Sequence, residues 1–166
     1  MIVCFIGHRT IEKTEELTAL VKETVATLVK KGATTFLFGS MSEFDILSWE
    51  VVTEFKKEYP CIKRVYVRAV IQCIDKSYEE YLLKFYEETY YPPKLVNAGK
   101  YSYVERNYEM IDSSTYCVFY YNENYAVSLK RQNIRNKFFS SQRNSGTKIA
   151  YKYAIKKKKD IINLYK

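Results

Sequence analysis

Three short segments combine glycine, hydroxyl groups and charge in the way an anion-binding loop requires. Gly7-His8-Arg9-Thr10 follows one apolar run, and Gly39-Ser40-Met41-Ser42-Glu43-Phe44-Asp45 follows another. Asn144-Ser145-Gly146-Thr147 precedes an amphipathic stretch. Glycine lets a backbone approach a ligand closely, and a helix N-terminus offers unpaired N–H groups and a positive dipole to phosphate. Ser40, Ser42, Ser145 and Thr147 add hydroxyls, and Arg9 can clamp an anion through two parallel hydrogen bonds. Each motif also has a plain structural reading: the glycines complete turns, and Ser42 and Ser145 cap helices. None matches GxGxxG or a P-loop, so it is the set that points to a phosphate-bearing ligand.

Single residues extend this set. His8 is the only histidine. It has no orienting partner visible in the sequence, and its neighbours Gly7 and Arg9 fit anion contact better than acid–base catalysis. Asp45 falls in the first turn of a helix, where it can bind a ribose hydroxyl or complement the dipole in a Ser42-x-x-Asp45 capping box. Arg106 and Asn107 precede Met110 by about one turn. Arg106 is either solvated, with Val104, Tyr108 and Ile111 facing the core, or turned into a crevice toward a phosphate or ribose. Among the 17 tyrosines, Tyr120 or Tyr121 at a strand end could stack on a base.

The elements that must position these residues follow from hydrophobic periodicity. Met1–Gly7 is a continuous apolar run of the kind buried on both faces of a sheet. Leu17, Leu20, Val21, Val25, Leu28 and Val29 mark a helix that Thr14 caps and Gly32 stops. Thr35–Phe38 is a second strand, Ser42–Glu58 a second helix and Lys63–Ile71 a third strand. A tyrosine-rich helix is expected over Ser77–Thr89, a short one over Ser102–Asp112, and a fourth strand over Thr115–Tyr121. A helix over Gly146–Lys159 and a strand over Ile161–Leu164 close the chain. Residues 122–145 read as a long loop or lid. Alternation of strand and helix predicts one α/β domain over residues 1–166, a Rossmann-like three-layer sandwich with a mostly parallel five-stranded sheet. In such sheets ligands gather beyond the strand C-termini, where all three segments fall.

Composition narrows the partners. No apolar run approaches the roughly 20 residues of a membrane span, and the start of the chain does not resemble a signal peptide, so no membrane partner is expected. Cys4, Cys61, Cys73 and Cys117 form no CxxC pair. Cys4 and Cys117 read as small core residues, the setting as reducing and cytoplasmic, and neither a metal nor a resident cofactor is expected. Residues 126–166 carry twelve Lys or Arg against the single acid Asp160, whereas the first 125 residues are net negative. That asymmetry, with Lys130, Arg131, Arg135, Lys137, Arg143 and Lys156 to Lys159, admits a nucleic-acid partner. For the last four lysines a solvated helix C-terminus is the simpler reading.

Together, Phe5-Ile6-Gly7-His8-Arg9, Gly39 to Asp45, Arg106-Asn107-x-x-Met110-Ile111-Asp112 and Ser145-Gly146-Thr147 resemble the SLOG superfamily. Within it, the chain most resembles the DUF1273, or YpsA-like, group, with Tyr153-Ala154 and Ile161-Ile162-Asn163-Leu164 in order. The resemblance implies a Rossmann-like sheet that binds nucleotides or nucleotide-derived signals of the ADP-ribose kind, with relatives that often pair as homodimers. An exposed Trp49 or tyrosine-rich surface could serve such pairing. It also implies likeness to phosphoribohydrolases, whose arginine-before-methionine pattern Arg106 and Met110 match. Their glycine-rich loop is shortened here, and Ala150 stands at the position of their glutamate. Alanine can neither stabilise a cationic sugar nor activate water, so a sensor, regulator or sequestering protein is expected rather than an enzyme. A phosphoribohydrolase using Arg106 with Glu43, Asp45 or Glu109, and a nucleic-acid binder using the basic 126–166 segment, are the alternatives.

Overall fold

The computed structural model describes residues 1–39, 42–69, 75–125 and 145–165. Ser40, Cys73 and Asn144 therefore lie outside the described residues, as do Ile71, most of the 122–145 loop and the cations Lys130 to Arg143. Six strands, β1 (Ile2–Gly7), β2 (Thr35–Phe38), β3 (Lys63–Val67), β4 (Glu88–Tyr90), β5 (Tyr116–Tyr120) and β6 (Asp160–Asn163), alternate with five helices. These are α1 (Glu15–Lys30), α2 (Glu43–Glu58), α3 (Lys76–Leu82), α4 (Ser102–Ser113) and α5 (Gly146–Lys156).

The sheet order is β4-β3-β2-β1-β5-β6, and every pairing is parallel. The chain builds outward from β1 to β4, then returns to add β5 and β6 on the other side. The switch in strand order thus falls between β1 and β5, where the register pairs Gly7 with Tyr120.

Strand pleating divides the core in two. Val3 and Phe5 point to the face covered by Leu17, Val21 and Leu28 of α1 and by Phe44, Leu47 and Val52 of α2. Cys4 and Ile6 point to the opposite face, beneath Met110 and Ile111 of α4 and Ala150 and Ala154 of α5. This is the expected three-layer sandwich. Thr14 caps α1 by accepting the Leu17 N–H, and Gly32 turns the chain away at φ +92°.

The sheet has six strands, not five. The tyrosines with helical spacing support α3 only as far as Leu82; the chain then turns, and Glu88–Tyr90 pairs with β3 as a short edge strand. Trp49 is half-buried rather than exposed: its indole N–H donates to the Phe85 carbonyl at 3.3 Å and its ring receives the Arg64 guanidinium at 5.3 Å. Cys4 and Cys117 are buried opposite each other on β1 and β5, both as free thiols.

Candidate functional site

The C-terminal end of β1 is where the separate segments meet. The Thr147 hydroxyl, in the first turn of α5, donates to the Gly7 carbonyl at 2.8 Å. The Glu43 N–H, in the first turn of α2, donates to the Arg9 carbonyl at 2.9 Å, and the Glu43 carboxylate accepts the Ile11 N–H. Two helix N-termini are thereby clipped to either side of the loop that carries His8. Both ends are capped by serine: Ser42 accepts from the Asp45 N–H and Ser145 from the Lys148 N–H, each at 3.1 Å. These hydroxyls are engaged as caps, and at α2 the Glu43 and Asp45 N–H groups are already taken, whereas at α5 the N–H groups of Gly146 and Thr147 have no partner within the helix. Gly146 is exposed, with open space where a side chain would project, and Arg9 is exposed.

Gly7 and Gly39 each leave room for a neighbouring side chain. A Cβ on Gly7 would stand 2.4 to 2.6 Å from three atoms of Phe44, so this position is empty for the benefit of the α2 core. A Cβ on Gly39 would meet Arg106 Nη1 at 2.5 Å and Met110 Sδ at 2.7 Å. Gly39 thus makes room for a guanidinium beneath the end of β2.

That guanidinium is buried, not solvated: Arg106 is 3% exposed. On α4 it is Arg106, Met110 and Ile111 that turn inward, while Val104 and Tyr108 are half-buried. Arg106 Nε donates to Asn107 Oδ1 at 3.0 Å and Nη1 to the Val67 carbonyl at 3.4 Å, with the Tyr103 ring 5.9 Å away. Burial pulls its pKa down from the ordinary value, and the charge of Asp45 opposes that fall. Asp45 is itself 3% exposed, so the acidic residue of the capping-box pattern is buried, and its charge acts on the Arg106 guanidinium. Of the three carboxylates considered with Arg106, Asp45 is the one beside it; Glu43 holds Ile11 and Glu109 pairs with Lys94. Burial raises the pKa of the neighbouring Tyr66 and Tyr86 hydroxyls, with Asp45 adding to the effect.

His8 is 1% exposed at the strand-order switch. The orienting partner that no sequence pattern reveals is a backbone amide: the Asn122 N–H donates to His8 Nε2 at 2.9 Å. Tyr125 stacks on the imidazole at 3.8 Å between centroids and 9° between planes. The two tyrosines considered for base stacking are otherwise engaged, Tyr120 with Phe44 and Tyr165, and Tyr121 with Tyr151.

Burial holds the His8 pKa below its ordinary value, against the pull of the Asn122 backbone. The unfolded chain therefore takes up this proton at higher pH than the folded one. Stability from the neutral ring is fully present above about 6.5 and is lost as the pH falls below it toward the folded value. In urea titrations, the unfolding midpoint should drop between about pH 7.5 and 5.5, and His8→Gln should flatten that slope. A wild-type midpoint constant over this range would contradict the assignment.

Among the described residues no group of three or more His, Cys, Asp or Glu could hold a metal ion, and no helix is long and apolar enough to cross a membrane. The fold is a parallel α/β sandwich, with His8 at the strand-order switch and Arg106 beneath the end of β2. No protein-family model matches the chain, and no curated protein matches it. Among solved structures it is similar to DNA processing protein A from Helicobacter pylori, described for its single-stranded DNA binding mode. The TM-score is 0.54 at 16% identity, over 97% of this chain and 63% of that one. At that identity the likeness shows a shared Rossmann-like fold, and this chain spans about 63% of its neighbour's length.

Proposed function

We propose that this chain binds a nucleotide-derived small molecule of the ADP-ribose kind beyond the C-terminal ends of β1, β2 and β5, as a sensor, regulator or sequestering protein. The observation that carries the reading is the pair of hydrogen bonds, Thr147 to Gly7 and Glu43 to Arg9, that clips two helix N-termini to one strand end. Two helix ends side by side favour a phosphate or pyrophosphate. Arg9 and the amides of Gly146 and Thr147 contact the anion in this reading. Asp45, Arg106, Asn107 and Met110 support the floor under Gly39, and Ser40 is a further contact carried over from the sequence. The resemblance to the SLOG superfamily and its DUF1273 group supports the same ligand class. Ala150 is 1% exposed among Met110 and Ile111, so the position of the phosphoribohydrolase glutamate holds a packed methyl group, which supports binding over turnover.

Isothermal titration with ADP-ribose, its cyclic isomers, NAD and AMP tests the reading. At least one of them should bind, and Arg9→Ala should weaken it about 10- to 100-fold, the value of a charge-assisted hydrogen-bonded contact. Because the Arg9 side chain is exposed, the variant's Tm should stay at the wild-type value. A folded protein that binds none of the panel would refute the proposal.

A second reading, single-stranded nucleic-acid binding, draws on the likeness to DNA processing protein A and on the basic 126–166 segment. Within its described part, Lys157 and Lys159 are committed to Asp112 and its carbonyl, and Lys148 lies 4.0 Å from Glu123. Six or so phosphate contacts would make affinity fall about 10³-fold between roughly 50 and 200 mM salt. An oligonucleotide titration across that range separates the two readings.

A further inference from the structure

The two ring nitrogens of His8 stand in different situations. Nε2 lies 2.9 Å from the Asn122 amide nitrogen and 3.2 Å from the Asn122 carbonyl oxygen. A backbone N–H can only donate, so Nε2 must present its lone pair to it, and the shorter contact sets the ring with Nε2 bare. A neutral imidazole then carries its proton on Nδ1. That Nδ1 is buried and has no hydrogen-bond partner among the described residues. Folded proteins leave few buried donors without an acceptor.

The surroundings favour an anionic acceptor. Along the chain, His8 stands between Gly7, whose carbonyl is held by the first turn of α5, and Arg9, whose carbonyl is held by the first turn of α2. Both helices are of at least eleven residues, and their N-terminal ends favour negative charge. Tyr125 lies parallel to the imidazole and covers its face, so an acceptor meets Nδ1 in the plane of the ring.

We propose that His8 Nδ1–H is a neutral donor that reads a phosphate oxygen of the ligand, seated between the first turns of α2 and α5, with Tyr125 as the aromatic wall of that seat. This deepens the crevice reading given above and rests on it. It also assigns the two nitrogens separate duties: Nε2 ties the β1 loop to the segment after β5, and Nδ1 serves the ligand. Since Nε2 is occupied by Asn122, the imidazole acts by positioning and not as a general base.

Two substitutions separate these duties. His8→Gln can keep an acceptor for the Asn122 N–H but removes the donor at Nδ1. His8→Asn keeps an amide donor near Nδ1 and gives up the Asn122 tie. Calorimetric titration with ADP-ribose and with inorganic pyrophosphate should show His8→Gln weakened about 10- to 100-fold for both probes at a Tm near wild type. His8→Asn should keep most of the affinity and lose thermal stability. Pyrophosphate bound equally well by His8→Gln and wild type would overturn the proposal while leaving the crevice reading intact. So would a wild-type protein that binds ADP-ribose but not pyrophosphate. A wild-type protein that binds neither probe nor any other nucleotide of the panel would remove both. Independently of any ligand, the imidazole ¹⁵N spectrum reports which nitrogen carries the proton, and with one histidine in the chain it needs no assignment. Protonated Nδ1 supports the proposal, and protonated Nε2 overturns it.

Discussion

Arg106→Ala is expected to cost about 2–5 kcal/mol of folding stability, the range for truncating a large buried side chain. Two effects add. The buried Val67 carbonyl and the Asn107 amide lose their guanidinium donor and Asp45 loses a nearby positive charge, and a long side chain leaves a void beneath Gly39 that the close-packed Met110 cannot fill alone. Arg106→Met separates them, because it refills most of the volume without the charge. If electrostatics dominate, Arg106→Met should recover less than half of the loss in urea denaturation. A loss below about 1 kcal/mol for Arg106→Ala would place the guanidinium in water after all.

The second large effect belongs to Gly7→Ala. The new methyl would sit 2.4 Å from Phe44 Cδ1 and 2.6 Å from its Cβ, well inside van der Waals contact. Phe44 cannot swing aside cheaply, since its ring packs against Phe5 at 6.3 Å and Tyr120 at 5.6 Å. Overpacking of this kind costs about 1–3 kcal/mol. Phe44→Leu in the same chain should return part of that cost. A double-mutant cycle should therefore give a coupling beyond about 0.5 kcal/mol, the ordinary scatter of additivity. Strict additivity would mean that the strand end moves instead of the ring.

These two positions show where the sequence can be read and where it cannot. Local chemistry was legible: Thr14, Ser42 and Ser145 cap the helices they precede, Gly32 leaves α1 at positive φ, and the apolar run after Met1 is a buried central strand. Those features depend on neighbours within a few residues. The edge strand β4 was not legible, because Tyr78, Tyr81, Phe85 and Tyr86 continue a helical spacing across the turn that ends α3, and three residues carry too little pattern to oppose it.

The site divides along the same line. That the loops after β1 and β2 and the start of α5 fall at the strand C-termini follows from the alternation of elements. What each residue does there depends on partners far along the chain. The sequence shows Gly7 and Gly39 at strand ends but not their neighbours: Phe44 occupies the Cβ side of one and Arg106 with Met110 that of the other. His8 looked unoriented because its partner, Asn122, contributes a backbone amide, a group every residue but proline carries. A backbone donor 114 residues away leaves no mark on side-chain identity.

The place of β1 in the middle of the sheet has a consequence for biosynthesis. Val3 pairs with Phe36 on one side and with Tyr116 on the other. A ribosome extrudes the first partner early and the second only after α4 has been made. During that interval a strand as apolar as Val3-Cys4-Phe5-Ile6 presents one open edge, the kind of surface that recruits other chains and engages chaperones. Closing that edge needs contacts distant in sequence, which folding reaches slowly. The arrival of β5 therefore both covers that edge of β1 and creates the strand-order switch on which the proposed phosphate seat is built.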